Sequence, residues 1–256
     1  MRRFLVLVLL PQEPSVIERR ARQRHLVPDH WGIELHYRGV QAAPATNLCP
    51  ADFALAEIAL FEAGFTAQEE GFDAVLVDSM SDTAVDALRS VLDIPVVGPG
   101  RAAFLTALML GERVSVLAMW SHWAVLYTRT LGAMGLLSRL ASVRSIEEAP
   151  DTRHLLAGKE AEIFPKLLEA GRLAIEEDGA DVICLGSTTL YQAHAYLAER
   201  LPVPVINPAP LSYLVADIMF ALSLRPSRRA HPKPLLDQQA MVRAMMTAAA
   251  RQEGTR

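Results

Sequence analysis

Short runs of consecutive apolar residues, rich in Val, Leu and Ile, alternate along the chain with longer stretches in which apolar positions recur every three or four residues. The first pattern marks strands covered on both faces and the second marks amphipathic helices. Their alternation predicts an α/β fold built on parallel sheets. The strand runs fall at residues 4–10, 32–36, 74–77, 95–97, 114–118, 182–185 and 204–206. Helical spacing is clearest at 52–70 and 164–178, and Gly179 after the second supplies a C-terminal stop. Residues 138–150 mix apolar and charged positions in the manner of a further strand with loops. After Pro226 a basic stretch, SRRAHPKP at 227–234, precedes a final helix from Leu235. Such a stretch reads first as a solvated loop and only second as a binding element.

A repeat organises these elements. GFDAVLVDS at 71–79 and GADVICLGS at 179–187 both run Gly, any residue, Asp, four mainly apolar residues, a spacer and Ser. Further along, IPVVGP at 94–99 pairs with VPVINP at 203–208. The first pair is offset by 108 positions (Ser79 to Ser187) and the second by 109 (Pro95 to Pro204), the slippage a duplicated unit accumulates over one helix. The chain is therefore expected to fold as two duplicated parallel-sheet α/β domains related by pseudo-two-fold symmetry. Residues 1–97 completed by 208–256 form the first, discontinuous domain, and 98–207 form the second. Ligands of parallel sheets bind beyond the carboxyl ends of the strands, so Ser79 and Ser187 are expected to face one cleft between the domains.

Composition narrows the chemistry. A hydrophobic content of 51% over 256 residues suffices for real cores and excludes disorder. With 25 Lys and Arg against 29 Asp and Glu, the formal net charge is −4 and no long basic run occurs. Nucleic acid is not an expected partner. Cys49 and Cys184 are too few for a disulfide framework and show no C-x-x-C spacing, which fits free thiols in a reducing cytoplasm. Met1-Arg2-Arg3 and the apolar run behind it imitate a secretion signal, but Pro11 ends the run and no small-x-small cleavage site follows. No stretch reaches the ~18 apolar residues of a membrane span. A soluble, cytoplasmic protein is expected. No G-x-G-x-x-G or Walker sequence occurs, Pro99 removes a donor from the turn at 98–100, and the histidines are isolated. Neither a nucleotide cofactor nor a metal is expected, and no G-x-S-x-G elbow supports a hydrolase triad. What is left is a pair of hydroxyls at equivalent strand ends, suited to chemistry on both faces of one carbon.

The same residues carry a resemblance. GFDAVLVDSMSD at 71–82 is similar to the Gly-x-Asp-Ala…Cys-x-x-Asp stretch of the aspartate/glutamate/hydantoin racemase superfamily, and GADVICLGS at 179–187 to its Gly-Ala-Asp…Leu-Gly-Cys stretch. Similarity to the hydantoin racemase-like branch continues in Ala54-Leu55-Ala56-Glu57, in IPVVGPG at 94–100 and in SRRAHP at 227–232, so it covers most of the chain in the correct order. The resemblance implies a duplicated α/β fold with the active site between its domains. It also implies a cofactor-independent racemase or epimerase that forms a carbanion or enolate, with one catalytic Cys per half on opposite faces of the substrate's α-carbon. Ser79 and Ser187 stand at those two positions. The family's polar loop after the first strand reads here Pro11-Gln12-Glu13-Pro14-Ser15, and Glu13 would repel a carboxylate placed beside it.

A thiol of pKa ~8.5 can be tuned to remove a carbon-bound proton, whereas a serine hydroxyl needs a partner base. Three readings stay open: a natural family member in which Asp78, Asp82, Glu13 or His122 takes over the acid/base work, a trapped variant with Cys→Ser at both positions, or a cleft that binds a small molecule without turnover. A lyase or decarboxylase of the same superfamily is the alternative enzyme. The catalytic candidates are Ser79, Ser187, Asp78, Asp82 and Glu13. Ser81, Thr188, Thr189, His122 and Cys49 are candidate substrate-binding residues, since hydroxyls and helix-start N–H groups can hold a carboxylate or enediolate. Asp82 has a second reading as the cap of the next helix, and Cys184, inside a strand, reads as core. The expected partners are a small-molecule substrate and further copies of the chain in a homo-oligomer, with no membrane involved.

Overall fold

The structure, a computed structural model, describes residues 1–11, 14–148 and 158–253. The chain runs β1 (Arg2–Pro11), α1 (Pro14–Ala21), β2 (Ile33–Val40), α2 (Pro50–Gly64), β3 (Ala74–Val77), α3 (Val85–Val91) and β4 (Val96–Val97). It continues with α4 (Pro99–Leu110), β5 (Val114–Ala118), α5 (Ala124–Ala133), β6 (Leu140–Ser145), α6 (Glu160–Glu176), β7 (Val182–Leu185), α7 (Ala193–Ala198), β8 (Val205–Ile206), α8 (Pro208–Ala221) and α9 (Gln239–Glu253). Two four-stranded parallel sheets result, in the orders β2-β1-β3-β4 and β6-β5-β7-β8. The fold is α/β, and both sheets wind their strands in one order. Two compact units hold them, one of Met1–Gly98 with Tyr213–Arg256 and one of Pro99–Ser212.

Burial explains which strands are central. Residues 4–8 of β1 are each at most 1% exposed, and a segment apolar on both faces needs strands on both edges and helices on both sides. β5 holds the same place in the second sheet and is buried along its length. One core packs Leu5, Leu7, Val75 and Val77 against Leu60, Leu88 and Met246 of the helices. The other packs Leu117, Ile183 and Leu185 against Leu167, Leu190 and Leu197.

The Gly-x-Asp of the repeat has a structural purpose. Gly71 (φ 79°) and Gly179 (φ 69°) turn the chain through the left-handed region before β3 and β7. Two residues on, Asp73 Oδ2 accepts the Arg3 backbone N–H at 2.8 Å, while Asp181 accepts those of Glu112 at 2.9 Å and Arg113 at 2.8 Å. Each carboxylate thereby ties the start of its strand to the start of the central one. Burial works to raise the Asp181 pKa, but the Glu112 and Arg113 N–H groups outweigh it and hold the carboxyl below its ordinary value.

Several boundaries differ from the sequence expectation. β1 and β2 extend to Pro11 and Val40, beyond the apolar runs, because their parallel pairing continues through Tyr37, Arg38 and Gly39 to a Pro11–Val40 pair. Residues 65–71 leave the helix as turns, so α2 stops at Gly64. The last helix starts at Gln239 and not at Leu235, since Asp237 Oδ1 accepts the Gln239 N–H at 2.9 Å and sets the first turn there. Within the basic stretch Arg228 is a tether. Its guanidinium donates to the carbonyls of Arg89 at 2.7 Å and His231 at 3.1 Å, to that of Leu92, and to Asp93 Oδ1 at 2.6 Å. Arg229 is exposed. Among the described residues no group of three or more His, Cys, Asp or Glu is placed to hold a metal ion, and no helix is long and apolar enough to cross a membrane.

Arg228→Ala is expected to destabilise the fold by about 1–2 kcal/mol, since it strips carbonyls at the end of α3 of a charged donor, while Arg229→Ala stays within ~0.5 kcal/mol. Urea midpoints of the two variants check this. Lys233 and then Arg228 hold the Asp93 carboxyl below its ordinary value. The depressed pKa means that the Asp93 part of this stabilisation is present above pH ~4 and is lost as the pH falls through the folded value, so the gap between the two variants should narrow in acid.

Candidate active site

Beyond the last paired residue of β3, the Asp78 N–H still donates to the Leu7 carbonyl at 2.8 Å. Beyond β7 the Gly186 N–H donates to Leu117 at the same distance. These bonds keep positions 78 and 186 against their sheets and release the chain at the next residue, which is the serine in both cases. Ser79 Oγ lies 2.8 Å from Ser81 Oγ and accepts the Ser81 N–H at 3.4 Å. Ser187 Oγ lies 2.8 Å from Thr189 Oγ1 and accepts the Thr189 N–H at 3.2 Å. Both serines are half-buried. Each sheet thus ends in a hydroxyl pair spaced i, i+2 on a turn that begins at the serine.

The two ends diverge after that. Ser187 caps a short 3₁₀ turn, Thr188–Gln192, whose Thr188 is 3% exposed. After Ser79 the hydroxyl chain extends to Thr83 Oγ1, 2.7 Å from Ser81 Oγ. Asp82 (φ 52°) and Ala84 (φ 65°) are both left-handed, a conformation that costs a residue with a side chain about 1 kcal/mol. Glu57 Oε2, reaching over from α2, accepts the Ala84 N–H at 2.9 Å. Glu57 thus ties down the N–H of the residue that precedes α3, and the Asp82 carbonyl accepts the Val85 N–H at 3.2 Å. The Asp82 carboxylate lies instead against Gly98, where an added Cβ would stand 2.2 Å from Asp82 Oδ1.

Positions 78 and 186 differ most. The Asp78 side chain is 1% exposed and pairs with Arg20 Nη1 of α1 at 3.3 Å. In the same layer the Tyr213 hydroxyl lies 3.1 Å from that of Tyr37 and 3.5 Å from Gln23 Oε1, and burial pushes its pKa well above 10. At position 186 there is no side chain. The Tyr127 hydroxyl donates to the Gly186 carbonyl at 2.7 Å, and a Cβ on Gly186 would meet that oxygen at 2.6 Å. Burial raises the Tyr127 pKa as well, so the group stays a donor at any working pH.

The remaining candidates lie on other elements. His122 is exposed just beyond β5 and stacks on Trp120, ring centroids 4.2 Å apart. Cys49 is an exposed free thiol at the N-cap of α2, where Asp52 accepts the Thr46 hydroxyl at 2.7 Å and the Leu48 N–H at 2.9 Å. Cys184 is fully buried and its thiol is pushed up to about 12 by burial, as its reading as core requires. Glu13 lies outside the described residues. Sequence reasoning passed over Arg20, Glu57, Tyr127 and Asn207. Two of them had left a signal: Glu57 in the stretch at 54–57 that resembles the family, and Asn207, which the repeat sets opposite Gly98. Asn207 is 8% exposed, and its buried Oδ1 has no hydrogen-bond partner among the described residues.

The sequence model of the family described as Asp/Glu/Hydantoin racemase matches residues 15–213. A hydantoin racemase from Paenarthrobacter aurescens is 28% identical over 185 residues, which is 72% of this chain and 77% of that protein. The crystal structure of an allantoin racemase from Pseudomonas fluorescens superposes with a TM-score of 0.80 at 27% identity, over 92% of this chain and 98% of that one. Unliganded arylmalonate decarboxylase shares the fold, with a TM-score of 0.61 at 17% identity over 86% of this chain and 93% of that one.

Tyr127→Phe should destabilise the protein by about 1–3 kcal/mol, because the buried Gly186 carbonyl then loses its partner. Denaturant unfolding at unchanged m-value measures it, and a shift under ~0.5 kcal/mol would show that the hydroxyl does not hold the Ser187 turn.

Proposed function

The chain belongs to the Asp/Glu/hydantoin racemase family, and on that footing we propose that it is an isomerase acting on a small cyclic ureide of the hydantoin or allantoin kind. The observation that carries the reading is the matched pair of strand ends, Ser79 with Ser81 and Ser187 with Thr189, built on the same hydrogen bonds in two sheets of one strand order. The substrate class comes from the relatives named as hydantoin and allantoin racemases. In such a ring the carbon beside the carbonyl bears a hydrogen that ionises once the carbonyl oxygen can take the charge. The C–H bond breaks, its electron pair moves into the carbonyl as an enolate, and a base takes the proton. Return of a proton to the opposite face inverts the centre.

Ser79 and Ser187 take, in this proposal, the positions that the family resemblance gives to proton-carrying thiols, but with a different task. Their hydroxyls and the N–H groups of the following turns hydrogen-bond the enolate oxygen. Proton transfer falls to carboxyl groups, Asp82 first and Glu13 with it. Asp78 is a positioning residue, because its side chain is turned inward onto Arg20. No cofactor takes part in these steps.

Incubation of one enantiomer of a 5-substituted hydantoin, and of allantoin, in deuterated water tests the proposal against the uncatalysed rate. Deuterium should enter at the stereogenic carbon together with loss of optical rotation. Release of a fragment such as CO₂ would make the protein a lyase, and binding without exchange would make it a binder. Ser79→Ala and Ser187→Ala should each lower kcat/KM by roughly 2–10-fold, the loss of one neutral hydrogen bond of ~0.5–1.5 kcal/mol. Asp82→Asn should lower kcat by ~10²-fold or more. A larger effect from the serines than from Asp82 would return the proton to the serine positions.

A further inference from the structure

We infer that the Asn207 side-chain carbonyl accepts a ring N–H of the substrate, an inference that rests on the cyclic-ureide function proposed above. Asn207 is 8% exposed, and its Oδ1 is buried with no hydrogen-bond partner among the described residues. Buried amide oxygens are paired in nearly all native proteins, and an unpaired one at a ligand-binding edge is an acceptor awaiting a donor.

Its place in the fold fits that task. β8 pairs with β7 through Cys184↔Ile206, so Asn207 stands beside Leu185, two residues short of Ser187. It is one strand spacing across, ~4.8 Å, and about 7 Å short along the strand direction. Asn207 and Ser187 therefore lie at the same carboxyl edge of the second sheet. The repeat sets Asn207 opposite Gly98, and the space beside Gly98 is filled by the Asp82 carboxylate. Each sheet thus carries one oxygen-bearing side group next to the end of its last strand, a carboxylate in the first and an amide in the second.

The chemistry selects a neutral ligand with N–H donors. α8 begins at Pro208, and with Pro210 it lacks two of its first-turn N–H groups. This helix start is a poor cradle for a carboxylate, and an amide carbonyl cannot receive one. A cyclic ureide presents ring N–H groups beside its carbonyls, so a single ring can donate to Asn207 while its carbonyl oxygen accepts from hydroxyls. An acceptor of this kind reads the substrate by rejecting an analogue whose N–H is methylated, since the methyl group leaves the carbonyl unpaired.

Calorimetric titration with 5-benzylhydantoin and its N1-methyl and N3-methyl derivatives tests the inference, on the unsubstituted protein and on Asn207→Leu. The unsubstituted protein should bind one methyl derivative at least about 10-fold more weakly than the parent. Asn207→Leu should bind the parent about 10-fold more weakly than the unsubstituted protein does, and no better than that methyl derivative. Without ligand, Asn207→Leu should melt at or above the original temperature, because the orphan acceptor is gone. Discrimination retained in Asn207→Leu, or equal binding of all three compounds by the unsubstituted protein, would each overturn this role. Asn207→Ser, smaller and polar, carries the same binding test if the leucine form does not fold. Failure of the unsubstituted protein to bind any of the three compounds would instead overturn the cyclic-ureide reading.

Discussion

One hydrogen bond per sheet governs where its paired hydroxyls sit. In a parallel sheet a strand ends when its N–H groups no longer find a carbonyl on the neighbour, and the chain then turns away. For β3 the last such bond runs from Asp78 to Leu7, and for β7 from Gly186 to Leu117, both at 2.8 Å. The serines follow immediately, so their place is fixed by the most buried strands of the protein and not by the loops that carry them. The hydroxyl pairs inherit that rigidity. A group that must meet a developing charge gains from being held before the substrate arrives, and strand ends supply such holding.

The two halves then specialise around the same frame. A carboxylate at position 78 needs a partner when buried, and Arg20 of α1 provides one, with Tyr37, Tyr213 and Gln23 close by. A glycine at position 186 needs none, and Tyr127 approaches the backbone itself. The turn after Ser79 is held in left-handed conformations by Glu57, whereas the turn after Ser187 runs directly into a 3₁₀ turn.

Some features that suggest function belong to structure. The Gly-x-Asp opening of each repeat sets strand register through Asp73 and Asp181. Arg228, in a basic stretch open to a binding role on sequence alone, closes the end of α3. Glu57, in the Ala-Leu-Ala-Glu stretch that resembles the family, binds the N–H just ahead of α3 from a neighbouring helix.

The sequence by itself determined the α/β class, the central strands and the repeated sheet, because hydrophobic period and glycine placement are local signals that a linear reading can register. It also located Ser79 and Ser187, since the repeat aligned them. Only the tertiary structure decided what surrounds them. Arg20 is 58 positions from Asp78, and Tyr127 is 59 from Gly186. Neither position carries a local pattern, because a hydrogen bond between distant residues asks only for the right atom at the right place after folding. The helix starts at Val85 and Gln239 went the same way: Glu57 of another helix binds the N–H just ahead of α3, and a proline-rich approach delays α9 until Asp237 binds its first N–H. Asn207 lies between these cases. The repeat marked it as different from Gly98, but its unpaired oxygen became visible only when the surrounding chain had closed over it.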